Sequence, residues 1–184
     1  MLTSAQVVSA AAHRQDSPLA RLAAGLPDTI LIPFSRLLRA GLVTGVTDGL
    51  FSSLLAAFVY GSTVTRLWQG VASTLLGAAA FEGGIRTAAI GLLMHFGVAF
   101  GWSAVFLLLV VSSAWLRGVL AAPYGVVAVA AVYGPLIWLA MSLLVIPMLT
   151  HRPPAINIRW WVQLFGHIPF VALPIVSLIG GRQL

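Results

Sequence analysis

The sequence contains no cysteine, no lysine and very few charges. Without cysteine, the chain cannot form disulfides, thiolate metal sites or cysteine nucleophiles. Only 8% of its 184 residues are charged, whereas 60% are hydrophobic. A soluble domain carries roughly 25% charged residues, so this chain cannot cover its surface with polar groups. The composition predicts that the lipid bilayer is its solvent and leaves no room for a second, soluble domain.

The positive charge of the chain is spread out. The formal net charge is +6 and every basic residue is an arginine. The arginines stand singly at the ends of apolar runs, which indicates membrane anchoring and not nucleic-acid binding. Residues 1–12 are mildly apolar, but no basic segment precedes them, and His13, Arg14 and Asp16 follow. A cleaved signal peptide is therefore not expected.

Apolar runs separated by turn residues predict the fold class. A membrane-spanning helix needs about 20 apolar residues. Runs of that length cover residues 40–60, 87–115, 124–148 and 160–179. The prediction is an all-α, polytopic membrane bundle of about four transmembrane helices, with further N-terminal and re-entrant or interfacial helices.

The shorter segments complete the predicted organisation. Ser17-Pro18 is typical of a helix start, so residues 17–26 are predicted to form an amphipathic helix on the membrane surface. Residues 29–39 are also expected at the interface. Two domains follow, an N-terminal interfacial segment (1–39) and a four-span domain (40–184).

Two connecting segments need separate predictions. Residues 67–81 are short for a span and are predicted to form an interfacial or re-entrant helix, with a fifth span as the alternative. Arg117-Gly118 is predicted to be a tight turn between the second and third spans.

The arginines also predict the orientation. The cluster before the first span favours a cytoplasmic N-terminus by the positive-inside rule. An even number of spans then places both termini in the cytoplasm. The expected location is the bacterial inner (cytoplasmic) membrane, as a multi-pass protein.

Asp48 is the most informative residue, because it lies near the middle of the first span. An ionised carboxylate there costs at least about 2.5 kcal/mol. Thr44 and Ser52 are four residues to either side, so the three are predicted to form one polar stripe facing the bundle interior. A proton, ion or substrate site is one interpretation. A hydrogen-bonded or protonated Asp that holds helices together is the other.

Two histidines are predicted to join this site. His95 and His167 each follow the outer end of a span by seven or eight residues, which places both about 10–12 Å deep. With Asp48 they could relay a proton, and the two histidines alone could ligate a divalent metal or haem. Ordinary interhelical hydrogen bonds are the simpler interpretation. No cofactor and no metal are predicted, and haem or a divalent metal held by His95 and His167 is a lesser alternative.

Other residues have predicted structural roles. Helix packing is expected at Gly41, Gly45, Gly49, Gly97 and Gly101, where small residues let helices approach. The loop residues His151 and Arg152, with Arg159, are candidates for lipid headgroups. Pro135, Pro169 and Pro174 are expected to kink their helices and free carbonyls inside the bundle.

Two stretches resemble known proteins. Residues 68–102, WQGVASTLLGAAAFEGGIRTAAIGLLMHFGVAFGW, resemble small four-span bacterial membrane proteins of unknown function. Residues 146–167, IPMLTHRPPAINIRWWVQLFGH, are similar to the YagU-like inner-membrane family, with its Pro-Pro loop, aromatic membrane re-entry and Phe-Gly-His. The resemblance covers the chain from Gly41 onward. It implies a four-span inner-membrane architecture and singles out His95 and His167, but implies no reaction.

No catalytic motif supports an enzyme. The sequence has no nucleophile elbow, no phosphate-binding Gly-rich loop and no paired carboxylates. The first expectation is a non-enzymatic structural or accessory subunit, with the bilayer and other membrane chains or further copies of itself as partners. A small proton-coupled transporter using Asp48, His95 and His167 is the alternative, and a haem- or metal-binding membrane protein comes third.

Overall fold

The computed structural model describes residues 28–181, and their side chains from Pro33 onward. Within that range every regular element is helical, which confirms the all-α fold class. The helices are α1 (Asp28–Leu54), α2 (Val64–Leu76), α3 (Gly84–Ser112), α4 (Ala114–Ala121), α5 (Gly125–Thr150) and α6 (Ile158–Gly180). The helix predicted at 17–26 lies outside the described residues.

Four helices are long and apolar enough to cross a membrane. They cover Pro33–Val59, Gly84–Ser112, Gly125–Thr150 and Ile158–Gly180, close to the four predicted spans. The chain is therefore a multi-pass membrane protein with four candidate spans. Three of them contain a short π-helical segment, at Leu55–Val59, Ala140–Val145 and Ile168–Ala172.

The first span begins earlier than residue 40. Helix α1 starts at Asp28 and continues through Pro33. A proline near a helix start removes a single backbone hydrogen bond, so it does not end the helix when apolar residues follow. By contact density the chain divides into Met1–Ser35 and Arg36–Leu184, and the contacts below all belong to the second unit.

Neighbouring spans run in opposite directions. Gly41 and Gly45 of α1 face the rings of Phe100 and Phe96 on α3, so residue numbers rise along one helix as they fall along the other. Arg36 of α1 also meets the end of α6, because its Nη1 donates to the Ile179 carbonyl at 3.1 Å. At the other end, the Arg159 guanidinium lies 4.5 Å from the centre of the Tyr60 ring. Arg36 and the end of α6 are therefore on the same side of the bundle.

Most of the buried core joins α3, α5 and α6. Its largest fully buried side chains are Phe106, Ile137, Ile175 and Ile179. Tyr133 packs on Phe106 and donates its hydroxyl hydrogen to the Trp102 carbonyl at 2.8 Å. This contact fixes α5 against α3 with a satisfied polar group, as a buried tyrosine requires.

Helix α2 is the segment predicted to be interfacial or re-entrant. Its 13 residues span about 20 Å, less than the roughly 30 Å hydrocarbon thickness. Gly77, at a φ of 64°, ends it. The helix packs closely on α3, because a Cβ at Gly91 would lie 1.8 Å from the Trp68 carbonyl oxygen. A glycine at position 91 is thus required for this contact.

The prediction of a tight turn at Arg117-Gly118 is wrong. Both residues lie inside α4, which begins at its N-cap Ser113, whose hydroxyl accepts from the Leu116 N–H at 3.1 Å. The boundary between α3 and α4 is instead at Ser113, a residue type that is favoured as a helix N-cap. Leu120 anchors the helix, since it is buried against Gly180 of α6.

A carbonyl near Pro174 accepts a hydrogen bond from another span. Pro174 has no N–H, so in an α-helix the Phe170 carbonyl would lose its donor. The Thr47 hydroxyl of α1 lies 2.6 Å from that oxygen and donates to it. This bond joins α1 to α6 beside the π-helical segment Ile168–Ala172.

The topology can be tested with single cysteines, because the chain has none of its own. We expect Ser62→Cys, Glu82→Cys and Pro154→Cys to react with a membrane-impermeant maleimide from one side, and Gly118→Cys from the other. A reporter fused after Leu184 should share the compartment of residue 118. If residues 62 and 82 react from opposite sides, α2 crosses the bilayer and the four-span topology fails.

The α2–α3 contact predicts a difference between two glycines of the same helix. We expect Gly91→Ala to lower the free energy of unfolding by about 1–3 kcal/mol, because the added carbon overlaps backbone atoms of α2. Gly97→Ala is the matched control, since no atom lies within 4 Å of its added carbon. Thermal unfolding in mild detergent measures both. Equal effects at the two positions would contradict the close packing of α2.

The Thr47–Phe170 bond predicts a coupling. We expect Thr47→Val to cost about 1–2 kcal/mol, because it removes the hydroxyl that donates to a partly buried carbonyl. Pro174→Ala returns a backbone N–H to α6, so Thr47→Val should cost less in that background. A double-mutant cycle on unfolding free energies measures the difference. Purely additive effects would show that Thr47 does not substitute for the missing N–H.

Candidate intramembrane binding site

A cavity of about 280 Å³ lies among the four spans and α2. The five predicted polar residues, Thr44, Asp48, Ser52, His95 and His167, all line it. The remaining wall is largely apolar and aromatic. The structure thus brings together the candidate residues of α1, α3 and α6 at one site.

Asp48 and His95 form the charged part of this site. The Asp48 Oδ2 and His95 Nδ1 atoms are 3.9 Å apart, and both side chains are about one-seventh exposed (13% and 14%). This distance suits an ion pair but is too long for a hydrogen bond. Asp48 Oδ1 is buried and has no hydrogen-bond partner. One carboxylate oxygen is therefore available for a ligand.

The hydrogen bond of His95 decides which nitrogen carries a proton. Its Nε2 lies 2.9 Å from the Gly45 carbonyl oxygen. A carbonyl can only accept, so Nε2 donates and Nδ1 faces Asp48. With Nδ1 unprotonated and Asp48 ionised, the pair would leave a net negative charge in the membrane interior, which is costly. One further proton, on either Asp48 or Nδ1, makes the pair neutral.

His167 uses one ring nitrogen within its own helix and turns the other towards the cavity. Its Nδ1 lies 2.7 Å from the Gln163 carbonyl, one turn earlier in α6, and donates to it. The Nε2 atom has no hydrogen bond among the described residues, and the side chain lines the cavity. The Trp138 ring packs against the imidazole at 4.9 Å between centres. His167 therefore offers Nε2 to the cavity from a fixed ring.

The polar stripe of α1 is joined to α6. The Thr44 hydroxyl is 3.5 Å from the Val171 carbonyl, and Gln163 Nε2 is 3.4 Å from the Ser52 hydroxyl. Both distances are at the long end for hydrogen bonds. Thr44 and Ser52 consequently bracket Asp48 and hold α6 beside it with weak bonds.

Several cavity residues were not identified from the sequence. Trp68, Trp102, Trp138 and Gln163 all line the cavity. Trp68 is mostly buried and packs on His95 at 5.0 Å, and the Nε1 atom of Trp138 is buried without a partner. Gln163 had a usable signal, because it precedes His167 by four residues on the same helical face. No feature of the sequence indicated that the tryptophan rings point into the cavity.

The packing glycines divide into two groups. Gly41, Gly45 and Gly49 are buried and receive side chains from α2 and α3, as small residues at a helix interface do. The described helices do not pack on Gly97 or Gly101, so the packing role of these two glycines stays a prediction. Both are exposed, with no atom near an added Cβ. The inward face of α3 instead carries Phe96 and Phe100, which turns the two glycines outward.

The loop candidates lie at the end of the bundle where α2 is found. His151, Arg152 and Arg159 are all exposed. His151 has a left-handed backbone, with φ 53°, and ends the third span. Arg159 packs over Tyr60, as described above. Binding of lipid headgroups by these residues stays a prediction.

Metal ligation has little support from the described side chains. No group of three His, Asp or Glu side chains that could hold a metal occurs among them. His95 would have to ligate through Nδ1, the nitrogen that faces Asp48. Haem or a metal bound through His95 and His167 stays a prediction, which an absorption spectrum and metal analysis of the purified protein would decide.

The fold and site define a multi-pass helical membrane protein with a polar cavity between its spans. Comparison with family models, curated proteins and solved structures found no match. The resemblance of residues 146–167 to the YagU-like family stays a prediction.

Proposed function

We propose that this chain is a small proton-coupled transporter that exchanges protons for small organic cations at Asp48. The observation that carries the proposal is the Asp48–His95 pair beside a cavity, with one carboxylate oxygen unpartnered. A membrane bundle held together only by packing has no need of such a pair. We also propose a bacterial inner-membrane location with both termini in the cytoplasm.

The cavity wall supports a cationic substrate. Asp48 supplies a carboxylate oxygen without a partner. Trp68, Trp102 and Trp138 supply indole rings around the same space. Aromatic rings and a carboxylate together favour ammonium groups, because the faces of the rings attract cations. The apolar remainder of the wall suits the hydrocarbon part of an organic cation.

Charge balance supports coupling to protons. The pair is neutral when either Asp48 or His95 Nδ1 carries one proton. When that proton leaves, the pair carries one negative charge, which a monovalent cation in the cavity neutralises. The membrane interior therefore favours either the proton or the cation, but not both, since a net charge there is expensive. This mutual exclusion is the basis of exchange.

The irregular helices support movement near the cavity. The π segments Ala140–Val145 and Ile168–Ala172 contribute Met141 and Val171 to its wall. Such segments often mark functional sites.

A structural or accessory subunit is the competing proposal. The outward-facing Gly97 and Gly101 favour it, because small residues spaced by four let another transmembrane helix approach closely. The same surface would serve a further copy of this chain. In that case Asp48 acts only as a hydrogen-bonding group between helices.

Binding of tetraethylammonium tests the exchange, since this probe has no titratable group. We expect the purified protein to bind it more weakly as pH falls, and to release protons when the cation binds. Asp48→Asn should weaken binding on the order of 50-fold or more, because about 2.5 kcal/mol of charge compensation is lost. Calorimetry in buffers of different ionisation enthalpy measures both quantities.

Glu82→Gln is the matched control. It removes the other described carboxylate, which lies in the turn between α2 and α3 outside the cavity. Binding and proton release should be unchanged in that variant and retained in Asp48→Glu. In proteoliposomes, a pH gradient should drive tetraethylammonium uptake by the original chain and not by Asp48→Asn. Unchanged binding in Asp48→Asn would overturn the proposal and favour the structural role.

A further inference from the structure

We infer that the Asp48 cavity selects primary and secondary ammonium groups over quaternary ones, because Asp48 and His167 each accept one N–H from the same substrate nitrogen. His167 is then the residue that determines specificity. This selectivity rests on the proposed transport function and names its substrate class, organic amines in their charged form.

Asp48 and His167 lie at the same level on two antiparallel spans. Two hydrogen bonds join the residues four positions before and after Asp48 to those four positions after and before His167, namely Thr44–Val171 and Ser52–Gln163. Both side chains line the cavity, and among the described residues no hydrogen bond joins them. The carboxylate and the imidazole therefore meet the cavity from two helices at one depth.

His167 presents a hydrogen-bond acceptor. Its Nδ1 donates to the Gln163 carbonyl at 2.7 Å, so in the neutral imidazole Nε2 carries no hydrogen and can only accept. His167 is only 8% exposed, and the Trp138 ring packs on it, which leaves the imidazole little freedom to turn. A polar atom buried to this degree costs free energy unless it finds a donor.

Asp48 presents the second acceptor. Its Oδ1 has no hydrogen-bond partner, and an ionised carboxylate can only accept. Two acceptors cannot hydrogen-bond to each other, so a ligand that satisfies both has to supply two donors. A protonated primary or secondary amine has at least two N–H groups on one nitrogen. Its positive charge also compensates the carboxylate within the membrane.

A quaternary ammonium ion lacks these donors. It compensates the charge of Asp48 and contacts the indole rings, but it leaves His167 Nε2 unpaired. A site that hydrogen-bonds an N–H rejects the analogue without it, because the buried polar group then has no partner. A hydrogen bond to a charged group corresponds to about 10–100-fold in affinity. Tetraethylammonium should therefore bind, but more weakly than an amine.

A methylation series of butylammonium tests the number of donors. The ions are butylammonium, its N-methyl and N,N-dimethyl forms and butyltrimethylammonium, which carry three, two, one and no N–H groups. We expect the first two to bind the purified full chain about equally, and the affinity to fall about tenfold or more when the second donor is lost. Calorimetry at neutral pH, where all four ions are charged, measures this. An even decline along the series would indicate selection by size and overturn the inference.

His167→Leu tests the assigned residue. It removes the acceptor at a similar side-chain volume, so butylammonium should bind about tenfold or more weakly, while butyltrimethylammonium changes little. His167→Gln has an amide oxygen and should keep part of the preference. Phe165→Leu is the matched control, because Phe165 is exposed on the same helix and does not line the cavity. If the His167 variants do not fold, the methylation series on the original chain decides.

Failure of the selectivity differs from failure of transport. Equal affinities for butylammonium and butyltrimethylammonium, or a preference that persists in folded His167→Leu, would overturn the selectivity. The transport proposal would stand in that case if Asp48→Asn still weakens the binding of both ions. Binding of neither ion, or unchanged binding of both in Asp48→Asn, would overturn the transport proposal and the selectivity with it.

Discussion

The placement of Asp48 within an apolar helix is the constraint on which the rest of the site depends. A carboxylate there needs compensation, because the hydrocarbon cannot solvate it. His95 provides that compensation from α3, at 3.9 Å, and is itself held by its bond to the Gly45 carbonyl. Gly45 makes this possible, since a Cβ at that position would overlap the Phe96 ring of α3. The polar pair and the packing glycines therefore act as one unit.

Bonds from side chains to backbone carbonyls connect the spans elsewhere. Thr47 donates to the Phe170 carbonyl, and Tyr133 to the Trp102 carbonyl. Such bonds use acceptors that proline or irregular helical segments leave available, or the second lone pair of a carbonyl within a helix. Their geometry allows helices to be joined without burying further charges. The single described carboxylate inside the bundle is thus left for the cavity.

The proposed binding site lies towards the end of the bundle where α2 is found. Helix α2 bounds the cavity on one side, and the wall combines a carboxylate with indole rings. A carboxylate and aromatic rings together suit a cation.

Hydropathy alone determined the all-α class and the four spans, because about 20 apolar residues in succession have few structural alternatives. Helical spacing also placed Thr44, Asp48 and Ser52 on one face. Spacing along one helix does not reveal which face meets which neighbour. For that reason, helical spacing did not predict that Gly97 and Gly101 face outward. It also did not predict that Trp68, Trp138 and Gln163 line the cavity. Only the tertiary structure decided that His95 lies beside Asp48. Their contact depends on the rotation and axial offset of α1 relative to α3. These are set where Phe96 and Phe100 pack on Gly45 and Gly41.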